Sequence, residues 1–166
     1  KIYVGLHQYG KAWYQRDADD DYITVGKCDD RWVPDESDAV SLTPAEARSA
    51  ARDYGVRPRF DKASREFTFS YTKTVSGHWY NRKDRRRTRD CEVRKTIWFG
   101  GAATAVGRMQ LVRRYRIGGI AVWNLASLDG GFFNGVRPFL KVQAQVKPKP
   151  KPKSKPKPSH KKRHRR

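Results

Sequence analysis

The fold of this chain is constrained most by a short apolar run near its end. Residues 118–119 are a Gly-Gly pair, and residues 120–123 follow without a polar side chain. Continuous apolar runs of this kind are typical of parallel strands covered on both faces, whereas half-exposed strands alternate. The preceding segment has apolar residues at helical spacing, namely Ala102, Ala105, Met109 and Val112. The pattern predicts a parallel strand that follows its crossover helix.

The beginning of the chain predicts another strand. Residues 1–6 alternate between apolar and other side chains. Tyr9 and Trp13 are predicted to lie just past the end of this strand. The acidic segment 16–22 that follows is predicted to be a solvated loop, and a weak cation-binding loop is the alternative.

The middle of the chain predicts a small antiparallel α+β unit. Thr43 and Glu46 have the spacing of a capping box around Pro44, which predicts a helix that Gly55 ends. Alternating aromatic residues at 66–74 predict a half-buried strand. The other predicted features are a turn into a second strand at 76–81, a basic loop at 81–90 and a further strand at 91–99.

The end of the chain differs in composition from the rest. The net charge is +20, and residues 147–166 contain eight Lys, three Arg and no acid. Lys-Pro repeats cannot bury apolar surface, so this segment is predicted to be a disordered basic tail. The tail predicts retention on anionic cell-wall polymers or membrane surfaces. Together with the basic loop at 81–90, it would also support the phosphate contacts of a nucleic-acid-binding protein.

The two cysteines leave two alternatives open. Cys28 and Cys91 do not form a CxxC pair, and the four His residues lack the spacing of zinc ligands. Two free thiols and one disulfide, which would indicate an exported protein, are both compatible with the sequence. The sequence predicts no cofactor, no metal site and no membrane span.

The order of these elements suggests an interrupted barrel. A strand, an α+β unit, a helix and a parallel strand would follow one another if a small module interrupted one connection between a barrel's last two strands. A complete (β/α)8 barrel takes about 250 residues, whereas this chain has 166 and starts at Lys1. We interpret it as part of a longer protein. We expect the isolated chain either to aggregate through unpaired strand edges or to need the missing strands from another polypeptide.

Four segments in this order resemble the C-terminal portion of glycoside hydrolase family 18, the group of chitinases and peptidoglycan N-acetylglucosaminidases. VGLHQYGKAW resembles the seventh strand, G-x-P-x-Y-G-x-x-W, through Gly5, Tyr9, Gly10 and Trp13. LTPAEARSAARDYG with FDKASREFTFSYTK resembles the helix and first hairpin of the family's inserted module. RKTIWFGGAATAVGRM resembles the segment leading into the seventh helix, and IGGIAVWNLASLD resembles the eighth strand. The resemblance covers roughly residues 1–135.

The sequence departs from the family pattern at several positions. His7 stands where proline is common, and Arg108 replaces a lysine. Gly100 and Gly101 replace two acids, and Thr104 replaces a serine.

The resemblance implies an α/β fold. This fold is an incomplete (β/α)8 TIM barrel that comprises the last two strands, with a small α+β module inserted at about residues 14–99. Residues 1–146 would then be the C-terminal part of the barrel domain, and residues 147–166 would be the tail.

The resemblance also implies a substrate site. Active sites of such barrels lie at the C-terminal ends of the strands. Trp123 would therefore project into the pocket and form the floor beneath a bound sugar ring, whereas a tryptophan that only packs is the alternative. Tyr9 and Trp13 are predicted to bind substrate behind it. Trp79 and Tyr80 are interpreted as packing aromatics, and the alternative is that they deepen the groove.

No catalytic residue is assigned in this chain. Enzymes of the family use the glutamic acid of D-x-x-D-x-D-x-E together with the substrate's own N-acetyl group. No Glu follows Asp21 at that spacing, and Glu46 and Glu66 are explained by a helix cap and a strand surface. Whether this chain alone is an enzyme therefore stays open.

Three hypotheses follow for function. The first is a segment of a glycosidase that acts on N-acetylglucosamine-containing polysaccharide, chitin or peptidoglycan, and that supplies the cleft wall without the catalytic acid. The second is a non-catalytic carbohydrate-binding relative, and the third is a basic nucleic-acid-binding protein. Under the first two, we expect an extracellular or cell-wall-associated protein that binds chitin or a related glycan.

Overall fold

The computed structural model describes residues 2–26, 28–123, 125, 128 and 130–144. The predicted tail at 147–166 lies outside the described residues. The described part is a mixed α/β structure with two sheets and three helices. No helix in these ranges combines the length and apolarity needed to cross a bilayer.

The strands and helices alternate unevenly along the chain. The strands are β1 (Tyr3–His7), β2 (Gly10–Tyr14), β3 (Thr24–Val25), β4 (Val33–Pro34), β5 (Ala39–Leu42), β6 (Arg59–Asp61), β7 (Glu66–Tyr80), β8 (Arg86–Phe99) and β9 (Gly119–Trp123). The helices are α1 (Pro44–Asp53), α2 (Ala102–Tyr115) and α3 (Phe132–Ala144).

The first and last strands form a two-stranded parallel sheet. Tyr3 of β1 pairs with Gly119 of β9, and the register continues to His7 and Trp123. The parallel strand and its preceding helix, α2, are therefore confirmed. The sequence did not predict α3, which contains Pro138. Helices α2 and α3 cover one face of the sheet with a buried cluster of Ala105, Met109, Phe132 and Val136, against which Ile120 and Val122 pack.

The strands between β1 and α2 form a seven-stranded antiparallel sheet. Its order is β4-β7-β8-β2-β5, with β3 beside β8 and β6 beside β7. Strands β7 and β8 form a long hairpin, paired without a break from Phe67 and Phe99 to Tyr80 and Arg86. The sheet includes β2 and therefore begins at Gly10, whereas the sequence predicts that the inserted module begins at about residue 14. The division into residues 1–146 and 147–166 stays a prediction.

Two predictions within this hairpin are wrong. Residues 76–80 continue β7 and do not turn into a second strand, and residues 86–90 belong to β8 rather than to a loop. Gly77 suggested a turn. The structure shows instead that the ring of Trp32 packs against this residue, so that a Cβ there would overlap the ring. The segment 86–90 suggested a loop because no apolar residues alternate with its charged ones. The structure explains this, since residues 82–90 are exposed on both faces of the hairpin.

Helix α1 begins as the sequence predicts. The backbone N–H of Glu46 donates to the Thr43 hydroxyl at 3.2 Å, and the backbone N–H of Thr43 donates to the Glu46 carboxylate at 2.6 Å. This capping box satisfies two N–H groups that the first turn leaves without helical partners. The apolar face of the helix covers one face of the sheet, in a buried cluster of Ala12, Ala47, Ala51, Phe69, Ile97 and Phe99.

A disulfide holds the outer part of the sheet. Cys28 and Cys91 are bonded, with their Cα atoms 6.3 Å apart. Next to the bond, Trp32 is only 1% exposed and donates its indole N–H to the carbonyl of Arg89 at 3.0 Å. The alternative that the sequence left open is therefore decided in favour of one disulfide.

Candidate functional site

The exposed residues at the C-terminal ends of β1 and β9 form the candidate site. Trp123 is the last residue of β9, is 75% exposed, and pairs with His7, the last residue of β1. Because the two strands are parallel, both side chains lie at the same edge of the sheet. In open or closed parallel sheets, ligands bind at this edge.

Alternation along the strands explains why Trp123 is exposed. Ile120 and Val122 point toward α2 and α3, where they pack against the buried cluster. Side chains alternate between faces, so Ala121 and Trp123 point to the opposite face, and Ala121 is exposed as well. Tyr3, at the start of β1, is also 57% exposed. One face of the parallel pair is therefore covered by helices, and the other is open.

Tyr9 lies near the same edge. It follows the end of β1, as the sequence predicts, and its ring centroid is 5.0 Å from that of His7. The ammonium of Lys11 lies 5.9 Å from the Tyr9 ring. The structure therefore brings Tyr9 and Trp123 to one edge, because His7 contacts the Tyr9 ring and pairs with Trp123. The sequence did not predict this role of His7.

Glu66 connects two of the sequence departures. Its Oε1 atom lies 3.5 Å from Nε2 of His7 and 3.6 Å from a guanidinium nitrogen of Arg108. The Glu66 side chain is 16% exposed, whereas His7 is 49% exposed. Residues that replace proline and lysine of the family pattern thus meet at one carboxylate, at the junction of the two sheets. No spacing in the sequence relates these three positions, so this cluster could not be predicted.

Gln8 lies buried directly beneath this edge. It is 0% exposed, and its backbone N–H donates to the carbonyl of Trp123 at 3.2 Å. Neither end of its side-chain amide has a hydrogen-bond partner among the described residues. A Cβ on Gly100 would lie 3.5 Å from the Gln8 amide oxygen. The position next to the amide oxygen is therefore occupied by a glycine, which offers no side-chain partner.

Trp13 lies in the larger sheet and not just past the end of the first strand. It is part of β2, pairs with Thr96 of β8, and is partly buried. Ala12 packs in the buried cluster beneath α1 and Tyr14 points to the same face of β2, so Trp13 between them points to the other face of the sheet. That face also has a hydroxyl cluster, in which Gln15 donates to Thr96 at 2.5 Å and Ser70 contacts Thr96 at 2.8 Å.

The remaining aromatic and acidic candidates have structural explanations. Trp79 packs, as interpreted from the sequence, against a buried cluster beside the disulfide that consists of Tyr14, Trp32, Val75, Cys91 and Val93. Tyr80 is 51% exposed. Asp17 closes the acidic loop by accepting the backbone N–H groups of Asp19 and Asp21 at 2.9 and 3.1 Å. No group of His, Cys, Asp and Glu suited to a metal ion occurs in the described part of the chain.

A partly buried charge cluster lies elsewhere, beside α1. Glu36 accepts hydrogen bonds from Tyr14 and from Lys73, the latter at 2.8 Å, and lies 3.5 Å from Lys95. Burial raises the pKa of Glu36, but these hydrogen bonds and the charges of Lys73 and Lys95 outweigh it and lower the pKa to about 2. Burial lowers the pKa of Lys95 and, with the Glu36 bond, raises that of Tyr14.

A cavity of about 440 Å³ lies against this cluster. Apolar residues of the sheet and of α1 line its other walls together with three polar side chains, Ser37, Ser41 and Glu46. Glu36 neutralises one of the two lysine charges and joins both lysines to Tyr14, so we interpret the cluster as structural.

No family model and no curated protein matches this sequence. Among solved structures, the chain is similar to the spore cortex-lytic enzyme SleL of Bacillus cereus, with a TM-score of 0.54 and 18% identity over 82% of this chain and 25% of SleL. It is also similar to a chitinase of Chromobacterium violaceum, with a TM-score of 0.50 and 19% identity over 84% of this chain and 33% of the chitinase. The chain thus spans a quarter to a third of these proteins. At these identities the likeness shows a common fold, which this chain shares with one part of each of them.

Proposed function

We propose that the chain is the C-terminal part of a glycosidase that acts on polysaccharide containing N-acetylglucosamine. The observation that supports this proposal best is the parallel pair of β1 and β9, with Trp123 75% exposed where the strands end. A fold shared with part of a cortex-lytic enzyme and part of a chitinase is consistent with it.

The open face of the parallel pair supports an incomplete (β/α)8 TIM barrel. In such a barrel, helices cover the outside of every strand, and side chains fill the inside. Ile120 and Val122 pack against helices as outside residues do, whereas Ala121 and Trp123 are exposed. Under the proposal, β1 and β9 are the last two strands, and the exposed face is part of the barrel interior. The seven-stranded sheet is then the inserted module.

The proposed role of this part is to bind sugar rather than to cleave it. The ring of Trp123 offers an apolar face to the C–H groups of a pyranose. Tyr9 lies near the same edge, and Trp13 lies on the face of the larger sheet that bears hydroxyl groups. We assign no catalytic residue, because Glu66 is engaged by His7 and Arg108. A non-catalytic carbohydrate-binding relative is the alternative that shares this surface.

We also propose an extracellular or cell-wall-associated location. The disulfide between Cys28 and Cys91 supports it, since disulfides persist mainly outside the reducing cytosol. The proposed contact between the tail at 147–166 and anionic wall polymers rests on its eight Lys and three Arg alone.

The test is binding of an N-acetylglucosamine tetrasaccharide to the full chain, measured by calorimetry and by the indole N–H resonances. Trp123→Ala should weaken binding about 2- to 10-fold, because aromatic packing of this kind contributes ~0.5–1.5 kcal/mol. Trp123→Phe should retain most of the affinity. Tyr115→Ala is the matched control, since Tyr115 is 64% exposed at the end of α2, away from the strand ends.

Two results would contradict the proposal. One is an equal loss of affinity in Trp123→Ala and Tyr115→Ala. The other is an indole resonance of Trp123 that does not move while the tetrasaccharide binds elsewhere.

A further inference from the structure

The tip of the long β7–β8 hairpin is strongly basic. Residues 81–87 contain Arg82, Lys83, Arg85, Arg86 and Arg87 against one acid, Asp84. All residues from 82 to 90 are exposed. The hairpin therefore concentrates like charges at its end, and these exposed side chains bury no surface in the core of the sheet.

Most of these cations have no partner among the residues that the structure describes. Arg86 lies 3.0 Å from Asp35, which also contacts His78 at 2.5 Å. The side chains of Arg82, Lys83, Arg85 and Arg87 have no hydrogen bond or ion pair in the ranges that the structure describes. Like charges on adjacent residues repel one another, and a polyanion would relieve that repulsion.

The tip is an ordered turn. The side-chain oxygen of Asn81 accepts the backbone N–H groups of Lys83 and Arg85, both at 3.0 Å. The backbone N–H of Asn81 donates to the carbonyl of Arg85 at 3.1 Å, which closes the hairpin. Arg85 directly precedes β8, and Arg86 and Arg87 are the first two residues of that strand. The cations are thus presented in a fixed order and not on a loose loop.

The base of the hairpin is held by the disulfide. Cys91 pairs with Val75 across the two strands and joins them to Cys28. A surface whose scaffold depends on a disulfide belongs to a protein that folds outside a reducing compartment. This favours an anionic polymer of the cell surface over a nucleic acid as the partner.

We propose that residues 82–87 bind a polymer of polyol units joined by phosphodiesters. Arg82, Lys83, Arg85 and Arg87 contact successive phosphates, and guanidinium groups suit them because they donate in pairs to phosphate oxygens. This contact is independent of the glycosidase proposal, since it uses neither Trp123 nor the parallel strands. It is also distinct from any contribution of the tail.

The test measures binding of labelled poly(glycerol phosphate) to the full chain by fluorescence anisotropy. The tip variant is Arg82→Gln/Lys83→Gln/Arg85→Gln. The control variant, Arg57→Gln/Arg59→Gln/Lys62→Gln, removes the same number of charges from exposed positions between α1 and β7 and keeps the same tail. The tip variant should bind at least ~10-fold more weakly at low salt, and its salt dependence should fall by about two released ions, since each phosphate contact releases about 0.7. The control should change affinity less than about 2-fold.

A charge-conserving variant and a DNA of equal charge complete the experiment. Arg82→Lys/Arg85→Lys keeps the charge and should retain at least a third of the wild-type affinity. Equal losses in the tip and control variants would overturn the proposal, because net charge alone would then explain binding. A single-stranded DNA of equal phosphate number that binds ~10-fold more tightly than poly(glycerol phosphate), with the same dependence on the tip, would overturn the assigned partner. Far-UV circular dichroism verifies that each variant is folded.

Discussion

The two sheets of this chain differ in how completely they bury their own surfaces. The seven-stranded antiparallel sheet has α1 on one face, a disulfide at its outer part and Trp32 fully enclosed. In the described ranges, helices cover one face of the parallel pair of β1 and β9, and the other face exposes Tyr3, Ala121 and Trp123. In the described residues, β1 and β9 pair with each other and with no third strand.

This difference indicates which of the two sheets can be stable by itself. Antiparallel sheets tolerate one solvated face, and hairpins join their strands locally. Parallel sheets occur almost only with both faces covered. The open face of the parallel pair is therefore the surface that further strands or a ligand would cover, whereas the larger sheet needs neither.

The largest expected effect contrasts two tryptophans, one in each region. Trp32→Ala should lower the free energy of unfolding by about 3–5 kcal/mol, because it empties a fully enclosed site. Trp123→Ala should change it by less than about 0.5 kcal/mol, since the side chain is 75% exposed. Urea unfolding followed by far-UV circular dichroism measures both. Similar losses in the two variants would mean that Trp123 is buried in solution.

An intermediate effect is expected where the two regions meet. Gln8→Leu should raise the free energy of unfolding by about 1–3 kcal/mol, because a buried amide without a partner is replaced by an apolar group of similar size. The backbone bond from Gln8 to Trp123 is unaffected by the change. Thermal unfolding checks this, with Gln15→Leu as the matched control. Gln15 donates to Thr96 and Ser70, so its replacement should destabilise. Destabilisation by Gln8→Leu would show that its amide is paired.

The smallest effect concerns the charge cluster of the larger sheet. The pKa of Glu36 is about 2 in the folded protein, well below its ordinary value of 4.5. Its contribution is therefore complete above about pH 4.5 and is lost as the pH falls from there toward 2. Glu36 is 42% exposed, so after solvent screening we expect about 1 kcal/mol or less. Glu36→Gln should flatten the pH dependence of unfolding in that window. Unchanged pH dependence would mean that Glu36 titrates normally.

Local rules in the sequence predicted the elements whose causes are local. The capping box of Thr43 and Glu46 and the apolar run that ends at Trp123 each depend on a few neighbouring residues, and both are confirmed. Helix α3 escaped prediction because Gly135 and Pro138 interrupt its pattern, and its apolar residues make sense only against α2.

The failed predictions depend on contacts between distant residues. Gly77 was interpreted as a turn residue. The structure requires a glycine there because the ring of Trp32, 45 positions earlier, leaves no room for a side chain. The cluster of His7, Glu66 and Arg108 joins three elements that no spacing relates. Trp13 matched a motif, yet it lies in β2 of the larger sheet. The candidate site was therefore predictable in its strand ends and not in the polar groups around them.

Residue-resolved amide hydrogen exchange tests the contrast between the two regions most directly. Amides of the larger sheet, such as those of Phe69 and Ile97, should exchange only through global unfolding. Amides of the parallel pair, such as those of Leu6 and Val122, should exchange at least ~100-fold faster, since one face and the outer edges of the pair are uncovered. Equal protection of the two sets would contradict the account, because the parallel pair would then be as complete as the larger sheet.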